Sequence, residues 1–450
     1  MLDTKSLAIL SQALEMLDTG FQDLPEYKTR TLNVEQFARV LSVTALKLQD
    51  NFPYFHPLYA GQMLKPPHPV ARLAYSLAMY INPNNHALDG GRATSALEKE
   101  AVAEIAAMFG WKQFLGHLCG GGTMANLEAL WVAEQIHPGK KILASEQAHY
   151  THKRISGVLQ IGFESVRCDE RGKMDLTALE SRAKKGDVGT VVATLGTTAT
   201  GSVDPLAEIL VLSKRYGFRV HVDTAYGGYF KLAANLAGPA KRAFDKVGKA
   251  DSIVIDPHKH GLQPYGCGCV LFRDPGVGKL YKHESPYTYF SSAELHLGEI
   301  SLECSRPGAA AAALWATQKL FPLVQGGEFS KGLEAGRDAA LQLYARLEKD
   351  ERFAPAFEPE LDIIVFLPRE ETREKASARS RNIFDAAAKR SLHLAVAELP
   401  VRFWRNVPFA NANSADSVSC LRSVLMKPEH LEWVGPIWER LMQAYADTES

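Results

Sequence analysis

The stretch 252–259, Ser-Ile-Val-Ile-Asp-Pro-His-Lys, joins a short apolar run to a charged end. An apolar run of this length, followed by a proline, predicts a buried β-strand. Lys259 would then stand just beyond the end of that strand. Burial removes water from an ammonium group and favours the neutral amine, which is a nucleophile. Lys259 is therefore the first candidate catalytic residue of the chain.

Two further segments carry the functional groups that would complement such an amine. Residues 218–223, Phe-Arg-Val-His-Val-Asp, form another strand-like run, and it ends in the carboxylate of Asp223. Residues 118–126, Leu-Cys-Gly-Gly-Gly-Thr-Met-Ala-Asn, predict a glycine-rich turn that opens a helix. Pyridoxal phosphate (PLP) requires a lysine, an acid for its pyridine nitrogen and an anion site. Together the three features predict this cofactor, although no single one of them would suffice.

The composition is that of an ordinary globular enzyme. The chain has 450 residues, which is too long for one ordinary core and predicts two structural domains. Hydrophobic residues make up 46%, charged residues make up 23%, and the formal net charge is zero. The charges are interspersed, so no basic field would attract nucleic acid or hold a membrane surface. We expect neither nucleic acid nor membrane among the partners.

Cysteine usage and the N-terminal segment bear on the compartment. The first residues lack the long apolar core of a signal peptide, and no later stretch is apolar enough to span a bilayer. The six cysteines show no disulfide-framework spacing, which is typical of a reducing compartment. Cys267 and Cys269 have no second cysteine pair, so the alternating run 266–272 predicts a buried strand and no metal site. We therefore expect a cytoplasmic enzyme.

Strands and helices alternate through the middle of the chain. This interleaving predicts an α/β fold with a mostly parallel sheet that is covered on both faces. Ligands of such sheets bind outside the carboxyl ends of the strands, where Asp223 and Lys259 fall. From about residue 326 the pattern changes to that of a smaller α+β domain. The predicted division is an N-terminal helical segment (1–60), a large domain (61–325) and a small C-terminal domain (326–450).

Several motifs resemble those of one enzyme family, the group II PLP-dependent decarboxylases of glutamate, cysteine sulfinate, tyrosine and aromatic amino acids. The matching segments extend from about residue 50 to residue 430. The resemblance implies the PLP fold type I (aspartate-aminotransferase-like), a homodimer, and decarboxylation of an L-amino acid. The most specific segments are Ser-Glu-Gln-Ala-His-Tyr (145–150), Cys-Asp-Glu-Arg-Gly-Lys-Met (168–174), Thr-Leu-Gly-Thr-Thr (194–198), His-Val-Asp-Thr-Ala-Tyr (221–226), Asp-Pro-His-Lys (256–259) and Ser-Arg-Pro-Gly (305–308).

The resemblance implies roles for residues around the cofactor ring. Lys259 resembles the lysine that binds the cofactor covalently, and Asp223 resembles the carboxylate beside the pyridine nitrogen. His149 and Ala225 resemble the residues that pack on the two faces of the ring. Thr198 resembles the threonine that hydrogen-bonds the ring hydroxyl.

Other matching residues are implied to bind the phosphate. Gly121, Gly122 and Thr123 resemble the phosphate loop, and His258 is a further phosphate contact in relatives. Asp256 stands where animal relatives often carry Asn. Because an acid beside a phosphate would be repelled, we expect the Asp256 side chain to point elsewhere or to cap the next turn.

Substrate-side residues are less well defined by the resemblance. Arg422 resembles the arginine that binds the substrate α-carboxylate in glutamate decarboxylases, and a structural salt bridge is the alternative. In relatives, the residue that protonates Cα comes from a mobile loop, and the corresponding stretch of this chain, 285–303, is short. Tyr287, Tyr289 and His296, or a residue of a partner chain, are the candidates.

The sequence is also compatible with reactions other than decarboxylation. A PLP-dependent carbon–carbon lyase of the sphingosine-phosphate-lyase type shares the Ser-Arg-Pro-Gly element. If the proton donor is missing or displaced, the enzyme would be an oxidative aldehyde synthase. A further hypothesis is a homologue that binds PLP but has no catalytic activity. No Gly-x-Gly-x-x-Gly pattern supports a dinucleotide-binding dehydrogenase. For the substrate, similarity over 145–174 favours acidic amino acids, whereas 256–259 and the short loop favour the tyrosine and aspartate decarboxylases of microbes.

Overall fold

The computed structural model describes residues 5–449, apart from 26, 29–31, 88–89, 283–299, 410–412 and 414–415. The described residues contain two β-sheets, each with its own hydrophobic core. Within them, no helix is long and apolar enough to cross a membrane.

The larger sheet has seven strands in the order β1-β7-β6-β5-β4-β2-β3. Its strands from β2 to β6 pair in parallel, whereas β7 is antiparallel to both of its neighbours. All residues of β4 are buried, as expected for a parallel strand covered on both faces. The strands are β1 (Leu115–Cys119), β2 (Lys141–Ser145), β3 (Phe163–Val166), β4 (Val188–Thr194), β5 (Arg219–Asp223), β6 (Ser252–Ile255) and β7 (Gly268–Phe272).

Helices cover this sheet, and their ends follow the signals in the sequence. Asp175 caps the helix after β3 by accepting from the backbone N–H groups of Thr177 and Ala178. Gly217 ends the helix before β5 in the left-handed conformation, at φ +74°. The helices are α3 (Pro69–Met79), α4 (Arg92–Met108), α5 (Gly122–Ile136), α6 (Thr151–Val158), α7 (Leu176–Ala183), α8 (Leu206–Tyr216), α9 (Gly238–Lys246), α10 (Gly278–Tyr281) and α11 (Gly308–Leu320).

The smaller sheet is antiparallel, in the order β10-β11-β9-β8. An earlier part of the chain extends it, because Ala60 N donates to His393 O and Val424 N donates to Ala60 O. Its elements are α12 (Glu328–Lys349), β8 (Phe353–Pro355), β9 (Ile363–Pro368), α13 (Arg373–Lys389), β10 (Ala395–Pro400), β11 (Ser417–Val424) and α14 (His430–Ala446). The two sheets confirm the predicted fold class: a large α/β domain of PLP fold type I and a smaller α+β domain.

The N-terminal helices have no core of their own. They are α1 (Leu7–Asp18) and α2 (Val34–Leu48), and neither contains a buried residue. Apolar side chains of α2 are exposed around the helix, at Val34, Phe37, Val40, Leu41, Val43, Leu46 and Leu48.

A buried ion pair joins the Ser-Arg-Pro-Gly motif to the large domain. Arg306 Nη1 lies 2.6 Å from Glu98 Oε1 and 2.6 Å from the carbonyl oxygen of Leu118. Glu98 also accepts from Leu118 N at 2.9 Å and from Asn85 Nδ2 at 2.7 Å. Both charged side chains are buried. The pair therefore fixes the end of β1, just before the glycine-rich turn, against α4.

Replacing Arg306 by Leu should strongly destabilise the protein. The change leaves the Glu98 carboxylate buried without its cation, which typically costs about 3 kcal/mol or more of the free energy of unfolding. Urea denaturation followed by circular dichroism measures this loss. The double variant R306L/E98Q should recover part of it, because the Gln oxygen still accepts from Leu118 N. The control Lys319→Met removes the exposed pair with Glu104 and should change little. Equal destabilisation by Arg306→Leu and Lys319→Met would contradict this role for the buried pair.

Candidate active site

A cleft of about 480 Å³ lies at the carboxyl ends of β4, β5 and β6. The chain reaches it from separate segments, because parallel strands end at the same edge of a sheet. All of the residues predicted to bind the cofactor line this one cleft: Gly121, Gly122, Thr123, His149, Thr198, Asp223, Ala225, His258 and Lys259.

Asp223, the last residue of β5, is only 5% exposed. Its Oδ2 lies 2.8 Å from His152 Nε2 and 3.4 Å from Asn126 Nδ2, and Ala225 N donates to Oδ1 at 3.0 Å. Burial raises the pKa of Asp223, but the hydrogen bond and charge of His152 and the N–H of Ala225 outweigh it. The pKa therefore lies well below its usual range, and the group remains a carboxylate.

The residues that hold Asp223 were missed by the sequence analysis. His152 is fully buried on the first turn of α6, three residues after His149. Behind it, His221 Nε2 lies 2.8 Å from Asn126 Oδ1, and His221 Nδ1 lies 2.8 Å from Ser252 Oγ. Burial lowers the pKa of His221 to about 3, so this ring is neutral. The one available signal was a second histidine on the same helical face as His149.

Lys259 faces an acid across the cleft. Its Nζ lies 3.0 Å from Asp256 Oδ2, and His258 Nε2 lies 3.5 Å from the same oxygen. The expectation that Asp256 points away from the site is therefore wrong. An ammonium group gains from an adjacent carboxylate, and this attraction directs the Asp256 side chain into the cleft.

The glycine-rich turn forms a cradle at the N-terminus of α5. Gly121 has φ +144°, which favours glycine, and a Cβ at Gly122 would lie 2.7 Å from Asp256 Oδ2 and 3.3 Å from Ala225 Cβ. The N–H of Gly120 already binds an anion, since it donates to Glu303 Oε2 at 2.8 Å. Free N–H groups at a helix N-terminus bind phosphates in the same way.

His149 and His258 stand at two edges of the cleft. His149 is partly buried, and its Nδ1 accepts from Thr151 N at 3.3 Å. Burial lowers the pKa of His149, so the neutral ring is favoured. The Nδ1 of His258 is buried beside the glycine cradle, and no described residue forms a hydrogen bond with it. These groups fit PLP: the amine of Lys259, the carboxylate of Asp223, the anion cradle of the glycine-rich turn and the buried Nδ1 of His258.

Arg422 lies next to the cleft rather than in its lining. The side chain is buried on β11, and its Nη2 donates to the carbonyl oxygen of Thr198 at 2.7 Å. Its Nη1 donates to Gly61 O at 3.2 Å and to Gln62 Oε1 at 3.0 Å. Among the residues that the structure describes, Arg422 thus bonds neutral oxygens and forms no salt bridge. The candidate proton donors Tyr287, Tyr289 and His296 lie outside the described residues.

Comparison with known proteins identifies the family. Residues 125–369 match the family model described as the pyridoxal-dependent decarboxylase conserved domain. The chain belongs to this family. Its cofactor is therefore pyridoxal 5'-phosphate, and the protein is a PLP-dependent decarboxylase of amino acids.

Named relatives of this decarboxylase act on different amino acids. The L-tyrosine decarboxylase of Enterococcus faecium is 28% identical over 364 residues, which cover 59% of this chain and 60% of that protein. The probable L-tyrosine/L-aspartate decarboxylase of Methanothermobacter thermautotrophicus is 28% identical over 315 residues, covering 68% and 82% of the two chains. This chain thus matches less than two thirds of the length of the enterococcal protein, but it matches most of the length of the archaeal protein.

Solved structures share the fold of this decarboxylase over nearly its whole length. The TDC of Oryza sativa, solved with PLP and tryptamine, has a TM-score of 0.79 and 17% identity, covering 100% of this chain and 99% of its own. Mouse CSAD in its apo form has a TM-score of 0.77 and 21% identity, covering 98% and 99%. At these identities the likeness shows the fold.

Replacing His152 by Phe should weaken the binding of PLP by about tenfold or more, since hydrogen bonds to charged groups typically contribute 1.5–3 kcal/mol. The change keeps a ring of similar size but removes the closest donor to Asp223. The low pKa of Asp223 in the parent keeps the group ionised down to acid pH, so cofactor affinity should not fall through this group between about pH 8 and pH 5. In the variant the pKa rises, and affinity should fall as the pH is lowered through that interval.

Titration of the apo-protein with PLP, followed by absorbance at several pH values, measures both effects. His137→Phe is the matched control, because His137 Nδ1 bonds only Gly189 O at the far end of α5. Unchanged affinity of His152→Phe at both ends of the pH range would show that Asp223 does not depend on His152.

Proposed function

We propose that this decarboxylase removes the α-carboxylate, as carbon dioxide, from an L-amino acid with an acidic or aromatic side chain. The observation that carries the proposal is the convergence of the predicted cofactor residues in one cleft, with Arg422 bonded to Thr198 at its edge. Relatives named for tyrosine and for aspartate support both substrate classes.

The residues of the cleft have distinct proposed tasks in holding the cofactor. Lys259 would bind it covalently, and the cradle of Gly121, Gly122 and Thr123 would bind its phosphate together with His258. PLP supplies an electron sink for the bond that breaks at Cα.

The ring would be held from several sides. Asp223 remains ionised, so it can hold a proton on the pyridine nitrogen. Ala225 and His149 would pack on opposite faces, and Thr198 would donate to the ring hydroxyl. The amine of Lys259, when it is not bonded to the cofactor, could move a proton towards Cα.

Arg422 would bind the substrate α-carboxylate. Among the described residues its guanidinium donates to neutral oxygens only, and its Nε has no hydrogen-bond partner there. A carboxylate is a stronger acceptor than a carbonyl oxygen because the bond is assisted by charge. Binding the carboxylate at this edge of the cleft would fix which bond at Cα is broken.

A second copy of the chain would cover the N-terminal helices. Apolar residues are exposed along the whole of α2, including Phe37 and Leu41, and an exposed apolar surface of this kind marks an interaction surface. The proposed N-terminal segment (1–60) thus joins two copies, while 61–325 and 326–450 form the large and small domains. The free cysteines, most of them buried, support a cytoplasmic location.

Turnover of a panel of L-amino acids should name the substrate. PLP-loaded enzyme is incubated with L-tyrosine, L-tryptophan, L-aspartate, L-glutamate and L-cysteine sulfinate, and the products are identified by mass spectrometry. We expect an amine lighter than its substrate by carbon dioxide. Lys259→Met should abolish turnover, whereas Arg422→Lys should raise KM by about tenfold because the planar fork is lost.

Other products would contradict this proposal. An aldehyde formed with consumption of oxygen would show an oxidative reaction in place of simple protonation at Cα. Cleavage of a phosphorylated amino alcohol, with no turnover of amino acids, would show the carbon–carbon lyase. An unchanged KM in Arg422→Lys would show that Arg422 does not bind the substrate carboxylate.

The dimer is tested separately by sedimentation velocity. The parent should sediment as a dimer at micromolar concentration, and Phe37→Glu/Leu41→Glu should shift it towards the monomer by placing charges in the apolar surface of α2. Gln49→Glu adds a charge at an exposed polar position beyond α2 and should leave the dimer intact. A parent that sediments as a monomer would contradict the proposed role of α2.

A further inference from the structure

A second cavity, of about 530 Å³, lies beside the cofactor cleft and shares none of its lining residues. Its lining comes from Phe55, the segment 65–69, the turn after Lys259, Phe321 just after α11, the start of α12 and the segment 427–429. His260, which follows Lys259 directly, forms part of its wall.

Two lysines, Lys65 and Lys427, face this cavity. Lys427 is only 4% exposed, and its Nζ donates to Tyr59 O at 2.6 Å. The partly buried Lys65 donates from its Nζ to Met426 O at 3.4 Å. Within the described ranges, neither ammonium group has a carboxylate oxygen within 4.0 Å. The two lysines thus share a poorly solvated space, and the carboxylates of Asp362 (on Lys65) and Glu429 (on both) act on them only from beyond that distance.

Burial lowers the pKa of both lysine side chains. Burial lowers the pKa of Lys65 to about 8. Burial, and then the charge of Lys65, lowers the pKa of Lys427 to about 7. A bound anion would favour the charged form of each lysine, so the free energy of ion pairing would be gained on binding.

A buried imidazole adds an unused polar group to the same wall. His260 is 2% exposed, and neither of its ring nitrogens has a hydrogen-bond partner within the part of the chain that the structure describes. Its Nε2 lies 3.3 Å from Asp362 Oδ2 but without the geometry of a hydrogen bond. Buried polar atoms are normally paired, and with Nε2 turned to Asp362 the Nδ1 of His260 is the ring atom left for a further partner.

The remaining lining sets the shape of a ligand. Glu328 and Glu429 are exposed, as is Lys331, so their charges are solvated at the opening. The walls are apolar and include Phe321 and Phe329. The buried part of the cavity is therefore basic at one end and apolar along its sides.

We propose that this cavity binds a small organic anion, with its carboxylate or phosphate group between Lys65 and Lys427 and its apolar part against Phe321 and Phe329. The volume is within the range of sites for small metabolites. The site is separate from the cofactor cleft and does not depend on which amino acid the enzyme decarboxylates.

Calorimetric titration of the PLP-loaded enzyme tests the proposal with two probes, benzoate and inorganic phosphate. We expect one molecule bound per chain. Lys427→Met and Lys65→Met should each weaken binding by about tenfold or more, since a hydrogen bond to a charged group is lost. Lys349→Met, an exposed change at the far end of α12, is the control and should leave affinity unchanged. Benzyl alcohol, which lacks the charge, should bind far more weakly than benzoate.

The outcomes separate the possible binding places. Lysine-dependent binding of benzoate supports a carboxylate site, and lysine-dependent binding of phosphate alone supports a phosphate site. Binding that is insensitive to both lysine changes but weakened by Arg422→Lys would place the probe in the cofactor cleft and overturn the proposal. Absence of binding by either probe, or equal binding of benzyl alcohol, would also overturn it. If Lys427→Met does not fold, the partly exposed Lys65→Met provides the test.

Discussion

The contact between Asp223 and His152 is the interaction on which the site depends. A carboxylate at the end of a central strand loses water on all sides, and without compensation it would take up a proton. Its compensation comes from α6 through His152, from α5 through Asn126 and from the backbone of Ala225. The Asp223 side chain can thus remain charged inside the large domain only when α5, α6 and the end of β5 are packed together. The same packing shapes the cleft.

The fold was largely predictable because its signals are local. Apolar runs located β5, β6 and β7 to within two residues, and the alternation of strands and helices placed the site at the strand ends. The antiparallel direction of β7 was not predictable, since a buried strand is equally apolar in either direction. Motif resemblance named the residues of the cleft, but His152 and His221 were missed. Their role depends on contacts between segments far apart in sequence.

Asp256 and Arg422 show why charge is harder to place than hydrophobicity. Repulsion from a phosphate predicted that Asp256 would point away, yet Lys259 attracts it into the cleft. For Arg422 a carboxylate partner was considered, whereas the structure gives it carbonyl and amide oxygens. In both cases the side chain is set by its nearest neighbour in space, which a linear sequence does not display.

The pairing of Ala60 with His393 and Val424 bears on the order in which the protein can fold during synthesis. The ribosome releases residue 60 long before the strands that it joins, and domains generally fold as units as they emerge. The smaller sheet therefore remains incomplete until the chain has been made to beyond Val424. The hydrogen bonds that Arg422 donates to Gly61 and Gln62 likewise cannot form until that part of the chain has been made. The edge of the cleft at Thr198 is thus among the last parts of the enzyme to form.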